Sequence, residues 1–267
     1  MLYLSRRTLA IVLAVLVAVA YVSSGQGWPT ASPMVQESEQ ESRPALAPGT
    51  EMPIFYAFTK EPLVGLTFDI SWGDKVVGPI LDVLKQYGVH ATFFLSGFWA
   101  KEHPDIVHRI VAEGHEIASH GDEHVNLNEL SRAQITDNIR TADADLREAS
   151  GTQPHWLRPP NGAYNELTLA VARQLGYETV IWSVDSLDWK RPGAEFIKQR
   201  VTSLVFPGAV VLFHASDSAP DTPVALPQVL AQLKAKGSKV TTLCQVVSQA
   251  EPAPDDPRGR PDYPPND

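Results

Sequence analysis

Short apolar runs alternate along the middle of the chain with segments in which apolar residues recur at helical spacing. Continuous apolar strands that alternate with helices are typical of a parallel sheet covered on its faces, either open or closed into a barrel. The pattern therefore predicts an α/β domain, a distorted and incomplete (β/α) barrel of about seven parallel strands. The runs predicted to be strands are residues 64–69, 89–95, 115–119, 155–158, 177–184, 208–214 and 238–244.

Two of the helices predicted between these runs have recognisable ends. The first follows Ser131, with Gln134 in the position of a capping box. The second covers residues 223–236 and stops at Gly237, a residue that suits the left-handed conformation at a helix end. These ends support the alternation of strands and helices on which the fold prediction depends.

The N-terminal residues 1–24 have the features of an export segment. Arg6 and Arg7 precede an unbroken apolar stretch from residue 9 to residue 22. This stretch is shorter than the roughly 20 residues that cross a bilayer comfortably, which favours a signal peptide, yet a short uncleaved anchor has nearly the same sequence. We therefore expect an exported, extracytoplasmic protein, either anchored to the membrane through this segment or secreted.

Composition divides the rest of the chain into three parts. Residues 25–52 are rich in Pro, Ser, Glu and Gln, a composition typical of a disordered linker. Residues 53–250 contain all the predicted strands and helices and are expected to form one domain. Residues 251–267 are rich in proline and are expected to form a disordered tail.

Charge and cysteine content exclude several classes of function. The chain has 31 acidic and 22 basic residues, so we expect no nucleic acid partner. Cys244 is the only cysteine, which excludes an intrachain disulfide and a zinc site built from thiolates. The oligomeric state has no signal in the sequence.

Reactive side chains follow the predicted strands at their C-terminal ends. Those ends meet at one place in parallel α/β sheets and barrels, where the active site lies. A single residue of this kind is often only a helix cap or a core histidine, but chance would scatter such residues over both ends of the strands. We therefore expect one active site that contains Asp69, His120, Arg158, Asp185, Asp188 and His214.

Five sequence blocks contain these residues, in the order LTFDISW, SHGDEHVNL, RPPNGAY, VDSLDW and LFHAS. In this order and at these separations they resemble the NodB-homology polysaccharide deacetylases, carbohydrate esterase family 4. The resemblance covers nearly all of residues 53–250. FDISWGD, RPPNG and LFHASDSA are most similar to the sporulation-associated branch of the family, which acts at or near peptidoglycan. The resemblance implies a hydrolase of linear amides that removes N-acetyl groups from a glycan.

Hydrolysis of an acetamide needs an activated water, a polarised carbonyl and a proton for the departing amine. The resemblance implies that Asp69 is the general base, held in place by Arg158, and that His214 is the general acid. Asp188 is expected to orient and charge His214, with Asp185 as the second choice.

Three further residues are expected to contact the substrate. Asn161 stands where the family more often has an aromatic residue, and its backbone N–H is expected to bind the oxyanion. Trp189 and Leu212 are expected to form an apolar wall against the acetyl methyl group.

A divalent metal is expected beside the base. His120 and His124 are four residues apart, which on a helical turn places both rings on one face, as in many zinc sites. Histidine ligands suit Zn²⁺, Co²⁺ and Ni²⁺ alike, and Zn²⁺ is the expected ion. Active family members usually have a second aspartate after the catalytic one, as a metal ligand, whereas this chain has Ile70. Asp74 or a water molecule could fill that position.

Ile70 leaves two other functions open. One is a non-catalytic glycan-binding protein of the envelope, built on the deacetylase fold. The other is a hydrolase of a small amide or ester. Release of acetate from an acetylated oligosaccharide, with and without added metal, distinguishes these alternatives from polysaccharide deacetylation.

Overall fold

The structure is a computed structural model that describes residues 52–253 and 255–259. The predicted export segment, residues 1–24, lies outside the described residues, as does the linker except for Met52. Within the described ranges, no helix combines the length and the apolar content that crossing a bilayer requires.

One parallel sheet forms the centre of the domain. Its strands are β2 Leu63–Ile70, β3 Thr92–Leu95, β4 Glu116–Ser119, β5 Trp156–Leu157, β6 Glu178–Thr179, β7 Val184–Asp185, β8 Val210–His214 and β9 Lys239–Thr241. The continuous strand order is β6-β5-β4-β3-β2-β8-β7, and β9 pairs with the first residues of β2. The seven strands in continuous order agree with the predicted incomplete barrel.

The run 177–184, predicted as one strand, is two strands at opposite edges of this sheet. Only residues 180–183 join β6 to β7, so the sheet must curl until its edges approach each other. Ile54 lies against this connection, because its carbonyl accepts a hydrogen bond of 2.8 Å from the Ile181 N–H. The single-strand prediction was wrong because an apolar run does not show where the chain bends to close a barrel.

Helices cover the outside of the sheet. The predicted capping box is present: Ser131 N–H donates to Gln134 Oε1 at 3.0 Å, and Gln134 N–H donates to Ser131 Oγ at 3.4 Å. The helix predicted to stop at Gly237 ends at residue 235. The bounds are α1 Val77–Tyr87, α2 Gly97–Glu102, α3 Pro104–Ala112, α4 Arg132–Ser150, α5 Glu166–Gln174, α6 Ala194–Leu204, α7 Thr222–Ala235 and α8 Leu243–Ser248.

Strand β2 separates the outer core from the barrel interior. All eight of its residues are buried. Phe68 and Ile70 belong to the apolar cluster that includes residues of the outer helices, such as Leu81 of α1 and Val229 of α7. Successive side chains of a strand face opposite sides, so Asp69 points to the interior.

The C-terminal segment packs on the barrel. A second, two-stranded sheet pairs Ala57–Phe58, here β1, with Glu251–Pro252, here β10, in antiparallel orientation. Beyond it, Ala253 is buried, and the hydroxyl of Tyr56 donates to Asp255 Oδ1 at 2.7 Å. The prediction of a disordered tail from residue 251 was therefore wrong for residues 251–253 and 255–259. A proline-rich composition does not prevent pairing at a sheet edge.

Candidate active site

A cavity of about 440 Å³ opens at the C-terminal ends of the central strands. Eight of the eleven predicted site residues line it; Arg158 and Asp188 lie directly behind its wall, and Asp74 lies elsewhere. Its lining consists of Asp69, Trp72, His120, His124, Asn161, Trp182, Asp185, Trp189, Leu212, His214 and Ser218.

Arg158 fixes the carboxylate of Asp69. The Arg158 side chain is fully buried, and its Nη1 donates to Asp69 Oδ1 at 2.7 Å and to Thr67 Oγ1 at 2.9 Å. Its Nη2 donates to the Ile181 carbonyl at 2.9 Å, and the guanidinium lies 4.0 Å from the centre of the Phe94 ring. With contacts on several sides, the guanidinium holds Asp69 in one orientation.

His214 closes β8 and is oriented by Asp188. His214 Nδ1 lies 2.7 Å from Asp188 Oδ1, and the backbone N–H of His214 donates to Asp188 Oδ2 at 2.8 Å. Thr222, at the start of α7, also donates to Oδ2, at 2.6 Å. Asp188 is completely buried, and its carboxylate accepts all three of these hydrogen bonds. Because Nδ1 of His214 is held by Asp188, Nε2 is the ring nitrogen available to a substrate.

Asp69 and His214 are neighbours across the sheet, because they are register partners of the parallel strands β2 and β8. Burial raises the pKa of Asp69, but Arg158, His120 and His214 outweigh burial and hold that pKa below its usual value. Burial lowers the pKa of His214, but the charge and hydrogen bond of Asp188 outweigh it, so the pKa of His214 is raised. The pair thus combines a carboxylate with a histidine that favours its protonated form.

Asp185, the second choice as partner of His214, has another role. Its Oδ1 accepts a hydrogen bond of 2.8 Å from the Leu187 N–H, so it shapes the turn that leads to Asp188. Its carboxylate still lines the cavity and is one of the negative charges that raise the pKa of His214.

His120 and His124 meet at the cavity, although not on a helical turn. Residues 122–124 form a bend, and Gly121 has a left-handed φ of 74°. The two ring centres are 5.3 Å apart. The predicted helical arrangement was therefore wrong, whereas both rings do line the same cavity. Four-residue spacing brings side chains together here because the chain turns sharply after β4.

The two histidines match a metal ion only in part. His120 Nδ1 bonds to the Arg158 carbonyl at 2.8 Å, as in many metal-binding histidines, and its Nε2 faces the cavity 3.7 Å from Asp69 Oδ2. Burial lowers the pKa of His120 to about 4, so its ring is neutral at neutral pH. A catalytic zinc ordinarily has three protein ligands. Among the described residues, no group of three His, Cys, Asp or Glu is placed to hold a metal, so these residues do not fit a three-ligand zinc site.

Neither Ile70 nor Asp74 supplies a third ligand. Ile70 is fully buried in the outer apolar cluster and does not line the cavity. Asp74, the alternative ligand suggested by the sequence, is exposed on the loop after β2 and is also outside the cavity lining. The loop after β2, which contains Gly73 with a left-handed φ of 76°, thus leaves Asp74 outside the cavity lining in this structure.

Asn161, Trp189 and Leu212 surround the remaining space. Asn161 has a left-handed φ of 59°, a conformation that Asn tolerates better than most residues, and its Nδ2 donates to Asn126 Oδ1 at 2.9 Å. The Leu212 side chain is 2% exposed, whereas Trp189 is 47% exposed at the rim. The cavity therefore combines an apolar wall with an open aromatic edge.

Sequence reasoning missed five residues of the site, one of which is Ser218 of the cavity lining. Thr67 lies two residues before Asp69 on the same face of β2, and this period-two pattern could have revealed it. Trp72 and Trp182 lie close to the motif residues and line the cavity. Thr222 comes from a distant helix, and no local pattern could have revealed its bond to Asp188.

Comparison with known proteins gives consistent matches. The family model for polysaccharide deacetylase matches residues 57–180. The peptidoglycan-N-acetylmuramic acid deacetylase PdaA of Bacillus subtilis is 32% identical over 72% of this chain and 74% of its own length. A peptidoglycan-N-acetylglucosamine deacetylase of Bacillus cereus is 37% identical over 70% of each chain. The match to YlxY of Bacillus subtilis, at 28% identity, covers 74% of this chain and 61% of that protein.

Solved structures with the same fold include active and inactive proteins. The structure of Bacillus subtilis PdaA, a family 4 carbohydrate esterase, has a TM-score of 0.69 at 30% identity and covers 74% of this chain and 85% of that one. A family 4 pseudoenzyme from Bacillus anthracis has a TM-score of 0.71 at 32% identity and covers 75% of this chain and 70% of that one. A similar fold alone therefore does not show whether a protein is an active deacetylase or a pseudoenzyme.

Proposed function

Because this chain belongs to the polysaccharide deacetylase family, we propose that it hydrolyses N-acetyl groups on a glycan of the peptidoglycan type. Two relatives, at 32% and 37% identity, carry the names of peptidoglycan deacetylases. The observation that carries the proposal is the pairing of Asp69 and His214 across β2 and β8, each held by its own buried partner of opposite charge.

The proposed reaction is the attack of water on the acetamide carbonyl. Asp69 takes a proton from the water as the oxygen forms its bond to the carbonyl carbon. His214 gives a proton to the sugar nitrogen as the carbon–nitrogen bond breaks, so acetate and a free amine are the products. The lowered pKa of Asp69 and the raised pKa of His214 agree with these starting protonation states.

Three other residues would position the substrate. The backbone N–H of Asn161 would donate to the carbonyl oxygen as negative charge develops there. Leu212 and Trp189 would contact the acetyl methyl group, which fits a cavity with an apolar wall. Arg158 would act through Asp69, because all its hydrogen bonds are directed to buried groups.

Members of this family are generally metal-dependent. We propose His120 and His124 as the protein ligands of a divalent ion, with Zn²⁺ as the first candidate and Co²⁺ or Ni²⁺ as alternatives. When bound, such an ion would polarise the carbonyl and acidify water.

We also propose that the protein acts outside the cytoplasm, at the cell wall, on the strength of the basic and apolar N-terminal segment. Protease added to intact protoplasts should digest the domain. Protection that is lost only on lysis would contradict this location. A role in sporulation, suggested by the motifs FDISWGD, RPPNG and LFHASDSA together, is part of the same proposal.

Acetate release from tetra-N-acetylchitotetraose and from peptidoglycan tests the proposed activity. We expect release by the unsubstituted protein with added Zn²⁺ or Co²⁺, and a loss of about 10²–10⁴-fold in Asp69→Asn. Asp82→Asn is the control, since its side chain is 72% exposed and forms only an exposed pair with Arg109. Equal turnover by Asp69→Asn and the unsubstituted protein would contradict the mechanism.

A non-catalytic glycan-binding role is the second candidate. Two observations favour it: no three-ligand metal group occurs in the described part of the chain, and a similar fold belongs to a pseudoenzyme. This candidate predicts binding of the oligosaccharide without acetate release at any metal concentration.

A further inference from the structure

Two tryptophans stand exposed at the rim of the active-site cavity. Trp72 is 45% exposed and Trp189 is 47% exposed, and both line the cavity. Trp189 belongs to the short helical turn after β7 and was predicted to contact the acetyl group. Trp72 lies on the loop between β2 and α1 and has no role in the proposed reaction.

The backbone around Trp72 is held firmly. Its carbonyl accepts a hydrogen bond of 3.2 Å from the Asp217 N–H, and the indole Nε1 of buried Trp99 donates to the next carbonyl, that of Gly73, at 2.7 Å. Asp217 Oδ1 in turn accepts from the N–H groups of Lys75 and Val76 at 2.9 and 3.1 Å. The loop is therefore tied both to α2 and to the segment after β8.

The Trp72 ring is held next to the catalytic groups. It lies edge-to-face against His124, with ring centres 5.3 Å apart and planes at 79°. The residue remains 45% exposed at the rim. A large aromatic surface that is fixed in place, exposed and adjacent to a cavity with a few convergent polar groups is characteristic of a binding site.

We infer that Trp72 is a stacking platform for a second sugar of the glycan, next to the sugar whose acetamide enters the cavity. A pyranose ring presents an apolar face of C–H groups, which packs on a flat indole, while its hydroxyl groups remain in water. The site then selects a chain of at least two N-acetylated sugars over a monosaccharide. This inference rests on the proposed function and specifies its substrate class.

Titration with tetra-N-acetylchitotetraose and with N-acetylglucosamine tests the platform. The full chain carrying Asp69→Asn is used throughout, so that turnover does not consume the ligand. Adding Trp72→Ala should weaken tetramer binding about tenfold, the size expected for one aromatic contact, and monosaccharide binding less. Trp72→Phe should retain most of the affinity. Phe196→Ala is the matched control, an aromatic residue that is 42% exposed but outside the cavity lining.

Three outcomes would overturn the inference. Unchanged tetramer affinity in Trp72→Ala would refute the platform while the proposed function stands. Equal losses for the tetramer and the monosaccharide, with a lowered Tm, would show that Trp72 only supports the loop. Absence of binding of either sugar by the chain with Trp72 intact, together with no acetate release by the unsubstituted protein, would refute the proposed function as well.

Discussion

Asp188→Asn should move the alkaline limit of activity to lower pH. His214 must carry a proton to act as the acid, and its raised pKa keeps that proton on the ring to higher pH than in a free histidine. Activity should therefore fall as pH rises through that pKa. The asparagine retains the shape of Asp188 but removes the negative charge 2.7 Å from His214 Nδ1.

The size of the shift follows from Coulomb's law. Two unit charges whose centres are about 4 Å apart interact by about 4 kcal/mol at an effective dielectric constant of about 20. At 1.36 kcal/mol per pKa unit this corresponds to about 3 units, as an upper value. Asp69 and Asp185 remain in place and continue to favour the protonated ring, so we expect a fall of about 1–3 units in the pKa of His214.

The pH dependence of kcat for acetate release measures this shift. Asp185→Asn is the matched control, because its carboxylate lines the same cavity without a hydrogen bond to His214, and a smaller shift is expected. Thermal unfolding of both variants checks that the fold is retained. An alkaline limit at the same pH in Asp188→Asn and the unsubstituted protein would refute the assignment of His214 as the acid charged by Asp188.

Two predictions concern stability. Gly208 has φ of 86°, and an added Cβ would lie 1.8 Å from the Ala57 carbonyl oxygen, so Gly208→Ala should lower Tm by at least about 5 °C. Gly176 is the control: it has a similar φ of 83° but open space around it, so Gly176→Ala should lower Tm less. Burial lowers the pKa of His115 to about 4 in the folded state, so protonation favours unfolding: stability should be full above about pH 6.5 and fall between pH 6.5 and 4. Urea denaturation across this range should show a shallower pH dependence in His115→Gln. Unchanged Tm in Gly208→Ala, or an unchanged slope in His115→Gln, would contradict these assignments.

The position of reactive residues after apolar runs was enough to locate the centre of the site. Asp69, Arg158 and His214 follow three different strands, and parallel pairing alone brings the ends of those strands together. The carboxylate that orients His214 was also anticipated, from the acid–histidine pairing of hydrolytic triads. These inferences depend on topology, which the strand pattern encodes.

Other features depend on where the chain bends, and local patterns do not encode that. The run 177–184 is rich in residues that favour strands and gives no sign that the chain crosses between two sheet edges at residues 180–183. The loop after β2 places Trp72 at the rim of the cavity and leaves Asp74 outside its lining, and a hydrogen bond from the N–H of distant Asp217 to the Trp72 carbonyl ties this loop down. Long-range contacts of this kind appear only in the folded structure.

Metal binding is the property for which the sequence and the structure differ most from the family pattern. Two histidines converge at the cavity, and the described residues provide no third ligand. We therefore expect isothermal titration to show one weak Zn²⁺ site per chain, and chelation to leave Tm unchanged, because His120 is already held by the Arg158 carbonyl.

Substitution of the ligands decides whether that site is the one described. Loss of either His120 or His124 should weaken Zn²⁺ binding by more than the roughly 10–100-fold that loss of an outer-shell partner costs. Asp74→Ala is the control, because its exposed side chain lies outside the cavity lining, so its affinity should match the unsubstituted protein. If Asp74→Ala instead abolished binding, the loop after β2 would have to fold over the cavity when the metal enters. Unchanged affinity in both histidine variants would place the metal elsewhere and leave the two rings as a purely polar wall of the cavity.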